Sequence, residues 1–147
     1  MIERNGDLFG TDAKAVGHGV NVRGAMGAGI AVAFRQRWPQ MYEEYRKVCR
    51  DGVLVPGGCY AWETEDEDRI GLVLNLASQD DPGPNASISW LDSSATCAAA
   101  AAIERGIDRI AIPRIGCGIG GLDWDEVEQT LRRIEEETGI EFEVWTL

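Results

Sequence analysis

The chain has 147 residues, 44% hydrophobic and 27% charged, which suits one soluble domain with a core of its own. A net charge of −11 speaks against broad, non-specific binding to nucleic acid, and no apolar run reaches the length of a membrane span. Cys49, Cys59, Cys97 and Cys117 are scattered without a C-x-x-C pair beside a single histidine, which speaks against a zinc site and a disulfide framework.

Residues 1–7 are polar and acidic, unlike a signal peptide, so a reducing cytoplasm with no membrane partner is expected. Residues 2–4 read as an edge strand, and Gly6-Asp7-Leu8-Phe9 as a turn out of it. Residues 15–22, A-V-G-H-G-V-N-V, read as a buried strand with small residues where something packs closely. His18 within it is expected to be a hydrogen-bonded core residue.

Next, Arg23-Gly24-Ala25-Met26-Gly27-Ala28-Gly29 forms a glycine-rich strand-to-helix loop. The spacing of Ile30, Ala33, Phe34 and Trp38 predicts a helix over 30–37 that Pro39 stops, and a second follows over 40–50 with Met41, Tyr45 and Val48 on its apolar side. Residues 22–50 carry a local balance of +4, leaving −15 for the remainder; the basic side chains are expected to be solvated helix faces. A strand at 59–62 leads into the acidic run 63–68, expected as a solvated hairpin tip.

Ile70-Gly71-Leu72-Val73-Leu74-Asn75-Leu76 is nearly all apolar, as in a strand covered on both faces, and ends at Ala77-Ser78-Gln79. A loop over 80–85 follows; Asn85-Ala86-Ser87 matches a glycosylation sequon by chance in an intracellular chain. A helix is expected from Leu91, capped by Asp92 or Ser93, with an alanine run to Ala102 and Gly106 past its end. Arg109-Ile110-Ala111-Ile112 is a further buried strand.

Behind that strand lies Pro113-Arg114-Ile115-Gly116-Cys117-Gly118-Ile119-Gly120-Gly121-Leu122-Asp123-Trp124. Asp123 with Glu126 three residues on signals a helix start, and Val127, Leu131 and Ile134 continue it to Gly139. Glycines between a strand end and a helix start expose backbone N–H groups, so this loop reads as an anion cradle. Gly116, Gly118 and Gly121 formally fit G-x-G-x-x-G, but only one more helix and a strand over 141–147 follow, too little for a Rossmann half. The alternation of strands and helices predicts a layered α/β sandwich with both loops at the carboxyl edge of the sheet, spanned by a nucleotide diphosphate.

These motifs, Gly6-Asp7-Leu8-Phe9, Asn21 with Met26-Gly27-Ala28-Gly29-Ile30-Ala31, the run from Pro113 to Trp124, and the final Val144-Trp145-Thr146-Leu147, resemble the macrodomain family. The likeness is to the branch holding the terminal ADP-ribose protein glycohydrolase, ALC1-type macrodomains and the antitoxin that strips ADP-ribose from DNA. It spans residues 1–147 as a single macrodomain and implies a three-layer α/β/α sandwich around a mixed, largely parallel sheet. It also implies a cleft for ADP-ribose, or for ADP-ribosylated protein or DNA, in a monomer with no cofactor and no metal.

By that resemblance Asp7 accepts from the adenine amino group with Leu8 beside the ring, and Asn21 holds the distal ribose. Met26, Gly27, Gly29 and Ile30 supply the first phosphate loop. Pro113, Ile115, Gly116, Cys117, Gly118 and Ile119 supply the second, and Ser78 and Gln79 lie at the strand end between them. Cys117 stands near a helix N-terminus, which can lower a thiol pKa, although tight packing is its expected task.

The departures from the branch matter more. A lysine that attacks the ribose in glutamate-directed members is matched here by Gln79, and a loop aspartate by Gly120. The chain's two lysines, Lys14 and Lys47, lie outside those loops. Glutamine cannot form a Schiff base and glycine cannot act as acid or base. The expectation is therefore a hydrolase acting on ADP-ribosylated protein or DNA, with Asn21 and Gln79 positioning water. A non-catalytic reader, an enzyme acting on ADP-ribose 1″-phosphate or O-acetyl-ADP-ribose, and an unrelated phosphate-binding module are the alternatives.

Overall fold

The computed structural model describes residues 1–65 and 69–147. In chain order the elements are β1 (Ile2–Asn5), a 3-10 turn (Leu8–Gly10), β2 (Ala15–Val20), α1 (Ile30–Arg37), α2 (Pro39–Arg50), β3 (Cys59–Glu63) and β4 (Leu72–Ala77). They continue with α3 (Ile88–Glu104), β5 (Arg109–Ile112), α4 (Trp124–Thr138) and β6 (Glu141–Thr146). The strands form one sheet in the order β1-β6-β5-β2-β4-β3, parallel except for β3, which runs antiparallel to β4. This is the mixed, largely parallel sheet expected.

Strand alternation sorts the side chains between two layers of helix. Leu72, Leu74 and Leu76 of β4 and Ile110 and Ile112 of β5 pack with the alanines of α3 and with Val127, Leu131 and Ile134 of α4. Val73, Ala77, Ala111, Val16 and Val20 face the other way, against Phe34 of α1 and Met41 and Tyr45 of α2. All six residues of β4 are buried, which is why its sequence lacks the polar alternation of a one-sided strand. Among the described residues no helix is long and apolar enough to cross a membrane.

Three of the boundaries that differ from the expectation do so for a local reason. The helix expected from Leu91 starts at Ile88, because Ser87 caps it by accepting from the Trp90 N–H; Asp92 and Ser93 lie inside the helix. Pro39 does not merely stop α1. Trp38 breaks the helix with φ −127° and ψ 73°, and Pro39 is the first residue of α2, where its missing N–H costs nothing. The strand expected over 15–22 ends at Val20, as Asn21 turns the chain with its own side chain. The expected hairpin tip over 63–68 reaches residues 66–68, which lie outside the described residues, although β3 and β4 do pair antiparallel up to Glu63 and Leu72.

One polar pair sits inside the core. His18 of β2 and Asn75 of β4 are partners in register, and His18 Nε2 lies 2.7 Å from Asn75 Oδ1. Asn75 Nδ2 donates to the Tyr60 carbonyl, so its Oδ1 is the acceptor and His18 carries its proton on Nε2. The imidazole stacks on Phe34 at 3.7 Å, and its Nδ1 has no partner among the described residues. His18 is thus the core histidine expected.

Burial pushes the His18 imidazole down from 6.5 to about 4, against the raising effect of the Asn75 hydrogen bond. As pH falls through 6.5 the unfolded chain takes up a proton that the folded chain refuses until about pH 4, so stability is lost across that window and levels off below it. The loss attributable to this one group reaches about 3 kcal/mol. Urea unfolding from about pH 7 to about pH 4.5 is expected to show most of that pH dependence in the parent and not in His18→Gln. Equal slopes in the two proteins would remove His18 from the account.

Candidate active site

The parallel pairing of β2 with β4 and β5 brings three strand ends to one edge of the sheet. Residues 21–29 leave β2, residues 78–87 leave β4, and residues 113–123 leave β5. They meet at Gly19, where a Cβ atom would stand 2.8 Å from Ser78 Oγ and 3.0 Å from Ile115 Cγ2. A second close approach joins the later two loops at Gly120, where a Cβ would stand 2.7 Å from the Gly116 carbonyl oxygen and 2.8 Å from Ala86 Cβ. By contrast, Gly27 and Gly118 have nothing within 4 Å in the Cβ direction and line the hollows between the loops.

Three hollows follow one another along this edge and share lining residues. The first, of about 180 Å³, lies between Asn21, Met26, Gly27, Gln79, Gly83 and Ile119. The second, of about 290 Å³, lies between Gly29, Ser78, Gln79, Ile115, Gly118 and Gly120. The third, of about 500 Å³, is bounded by Asp7, Leu8, Phe9, Ile30, Arg114 and Trp145. Ile119 is 48% exposed and reaches across from the later loop, its Cδ1 standing 3.1 Å from the Cβ direction of Gly29. The result is an elongated groove bridged by one apolar side chain at its centre.

Its centre is rich in open backbone donors. Among the described residues no hydrogen bond engages the N–H groups of Gly27, Ala28 or Gly29, nor those of Gly118, Ile119 or Gly120. Gly29 caps α1 at φ 62°, so the first set continues into the N-terminus of that helix. Unpaired N–H groups converging from two loops favour an anion without placing a cationic side chain there.

The two ends differ in character. At the wide end Asp7 lines the hollow and caps the 3-10 turn, its Oδ1 accepting from Phe9 N at 3.0 Å. Trp145 is oriented by the buried Glu143, whose Oε1 accepts from the indole N–H at 2.6 Å and from the Thr11 hydroxyl at 2.5 Å. Arg109 donates to the other oxygen of Glu143 at 3.1 Å. Glu143 therefore holds the turn carrying Asp7 and the ring of Trp145 in one arrangement.

At the narrow end the polar groups are amides. Asn21 Oδ1 accepts from Arg23 N and Ala25 N, its Nδ2 donates to Ala25 O, and the buried Tyr45 hydroxyl donates to Asn21 O at 2.6 Å. Most of its bonding capacity holds the first loop. Gln79 Nε2 donates to the carbonyls of Asp81 and Gly83, leaving Oε1 as its remaining polar atom. Ser78 Oγ is buried and unpartnered among the described residues, beneath Gly19 and against Ile115.

Most residues expected at the site gather here, with two qualifications. The Met26 side chain is buried in the core beneath α1 and α2, so it supports the first loop from behind. Cys117 packs toward the α3 and α4 layer with its thiol 3.5 Å from the Ile115 carbonyl, and its N–H is bonded to Arg114 O. Burial pushes the Cys117 thiol up, overriding Arg114 nearby, which counters the lowered pKa that a helix N-terminus can cause. Lys14 precedes β2 at the opposite edge of the sheet and Lys47 is exposed on α2, so neither reaches the groove.

Phe9, Gly19, Ala28, Ala33 and Arg114 line the groove without having been singled out as contacts. Gly19 had a signal in the small residues of its strand. The others depend on which loops become neighbours, as does the placing of Trp145, which the sequence offers only as a closing motif. Arg23 forms ion pairs with Asp80 and Asp81 at the rim, and Arg35, Arg37 and Arg46 lie over Tyr42, Phe9 or Trp38. Much of the positive charge on 22–50 is thus engaged locally. No group of three or more His, Cys, Asp or Glu side chains among the described residues is arranged to hold a metal ion.

The contact at Gly120 yields a direct test. An aspartate there would press on backbone and on Ala86, so Gly120→Asp is expected to cost about 1–3 kcal/mol, while Gly118→Ala, facing open space, stays within about 1 kcal/mol of the parent. Thermal melts of both variants decide it, and a Gly120→Asp protein that melts with the parent would show that the loop has another arrangement.

Known proteins share this sequence and fold to a measurable degree. The DNA ADP-ribosyl glycohydrolase of Mycobacterium tuberculosis is 32% identical over 127 residues, which is 86% of this chain and 36% of that protein. This chain therefore spans about a third of that relative's length. Human ADP-ribose glycohydrolase OARD1 is 29% identical over 148 residues, covering 97% of this chain and 88% of that one. Among solved structures, the macrodomain of Mycobacterium tuberculosis DarG superposes with a TM-score of 0.92 at 29% identity, over 100% of this chain and 98% of the other. The family model described as Macro domain matches residues 18–131, which include both glycine loops, and the chain belongs to that family.

Proposed function

We propose that the groove binds ADP-ribose and that the chain hydrolyses the bond joining ADP-ribose to a macromolecule, with a DNA base as the favoured acceptor and a protein carboxylate as the second. The observation that carries this reading is the order of environments along the groove. A wide hollow with a carboxylate and aromatic rings suits adenine, open backbone donors from two loops suit a diphosphate, and a small amide-lined hollow suits the distal ribose. The preference for DNA rests on similarity to proteins named DNA ADP-ribosyl glycohydrolases.

Under this reading the reaction uses water and no covalent intermediate, because neither lysine is near the groove. The water oxygen bonds the anomeric carbon as the bond from that carbon to the acceptor atom breaks. The acceptor keeps the bonding pair, and the water proton passes by way of a diphosphate oxygen of the substrate to the departing base, or to solvent when the acceptor is a carboxylate. Gln79 Oε1 accepts from the attacking water and Asn21 fixes the loop around the ribose, so their part is positioning. The N–H groups of the second loop hold the diphosphate in place for this step.

ADP-ribose is expected to bind in the micromolar range, on the order of −8 kcal/mol, by titration calorimetry. Asp7→Ala is expected to weaken binding by about 1–3 kcal/mol, through loss of a charged hydrogen bond. Gly118→Glu is expected to keep the fold and abolish binding, since its side chain occupies the place of the diphosphate.

Turnover of ADP-ribosylated DNA, ADP-ribosylated glutamate, ADP-ribose 1″-phosphate and O-acetyl-ADP-ribose, run side by side, tests the reaction. Release from DNA is expected without any adduct trapped by borohydride, with Gln79→Ala lowering kcat more than it raises KM. A trapped adduct overturns the mechanism. Binding of ADP-ribose with no turnover on any of the four substrates makes the protein a reader, and absence of binding removes the ligand itself.

A further inference from the structure

Along α3, Ser93, Cys97, Ala101 and Arg105 recur every four residues and so share one face of the helix. That face is pinned at both ends, to the loop just before β3 and to the last residue of that strand. Ser93 Oγ donates to the Gly57 carbonyl at 2.8 Å, and Arg105 Nε donates to Glu63 Oε1 at 2.8 Å. Between the two pins, Cys59 and Ala61 of β3 and Ala101 of α3 all pack into the same layer. Small residues on both elements let helix and strand approach closely, and Cys97 falls over Cys59. Four residues on from Ser93, Cys97 stands two residues along the strand from Gly57, at the level of Cys59, and each thiol influences the other's ionisation. Cys97 is exposed to solvent while Cys59 is half-buried behind it.

We propose that Cys97 and Cys59 form an oxidisable dithiol, which hydrogen peroxide converts to a disulfide joining α3 to β3. Cys97 is the attacking sulfur and Cys59 the resolving one. Hydrogen bonds from Cys59 bring the Cys97 thiol down to about 6, overriding the effect of its burial, so at neutral pH it is a thiolate. Cys59 is held well above the usual thiol range, first by its bond to Cys97 and then by burial, and stays protonated. Arg105 and Glu63 are the charged groups at the far end of this face. Burial pushes Cys49 and Cys117 up, so neither is a competing thiolate.

In the first step the Cys97 thiolate attacks one peroxide oxygen and the O–O bond breaks. The product is a sulfenic acid, and the departing hydroxide takes a proton to become water. In the second step the Cys59 sulfur attacks the Cys97 sulfur, displacing hydroxide, which leaves as water with the Cys59 proton. The two sulfurs together lose two electrons and the peroxide gains them. The site lies outside the ADP-ribose groove and stands independently of the function proposed above.

The test treats the whole chain with about one equivalent of hydrogen peroxide near pH 7, followed by intact mass and non-reducing peptide mapping. The expected result is the loss of two hydrogens, one cross-linked peptide pair containing residues 59 and 97, and reversal by dithiothreitol. Cys59→Ser is expected to stop at the sulfenic acid on Cys97, trapped by dimedone, and Cys97→Ser to leave residue 59 unoxidised. Iodoacetamide is expected to label Cys97 roughly ten-fold faster than Cys117 near pH 7, because the thiolate is the reacting species. Oxidation of Cys97 to sulfinic acid while Cys59 stays alkylatable, or a link through Cys49 or Cys117 instead, would overturn the proposal.

Discussion

The groove depends on the contact of Gly19 with Ser78 and Ile115. A Cβ at position 19 would stand 2.8 Å from Ser78 Oγ and 3.0 Å from Ile115, nearer than side chains normally approach. Because β2 carries no side chain there, the ends of β4 and β5 close over it, and the loops that follow them are brought face to face. Gly120 repeats the device one layer out, against Gly116 and Ala86. Closeness at these two points is what leaves Gly27 and Gly118 open toward the hollows, with free backbone donors on both sides. The same closeness makes the loop aspartate of the resembling branch incompatible with position 120 in this arrangement.

The centre of the groove is lined chiefly by neutral groups, and its charges are kept to the ends and the rim. In a chain of net charge −11, the centre of the groove offers N–H dipoles and a helix N-terminus to the diphosphate we propose. Asp7 at one end and the Arg23 pairs with Asp80 and Asp81 at the other frame this neutral centre. The narrow end is built of amides whose orientation is set by their own loops. Such groups can hold a ribose or a water but do not form a bond to carbon, which is why the proposed chemistry is one of positioning.

Two buried polar clusters give the apolar layers their register. His18 and Asn75 join β2 to β4 beneath α1, and Glu143 joins β6 to β5 and to the turn that carries Asp7. Each draws its hydrogen bonds from separate parts of the chain, so a shift of one strand breaks a buried polar contact. Glu143 is legible in the sequence only as one of two glutamates in the strand EFEVWT, with nothing to mark it as the buried one. Its partners Thr11, Arg109 and Trp145 come from three different segments.

The sequence by itself determined the order of strands and helices, the loops with anion-binding backbone, and the absence of a lysine where the resembling branch uses one. Those properties are local. They follow from hydrophobic period, glycine placement and capping residues within a few positions of each other, as with Asp123 before α4 and Gly139 after it. Tertiary structure decided that Ser87 rather than Asp92 or Ser93 caps α3, that Met26 and the Cys117 thiol turn into the core, and that Ile119 spans the groove. It also decided that Cys97 meets Cys59. Each of these depends on which distant segments pack together, and burial against a neighbour in space leaves no periodic signal along the chain.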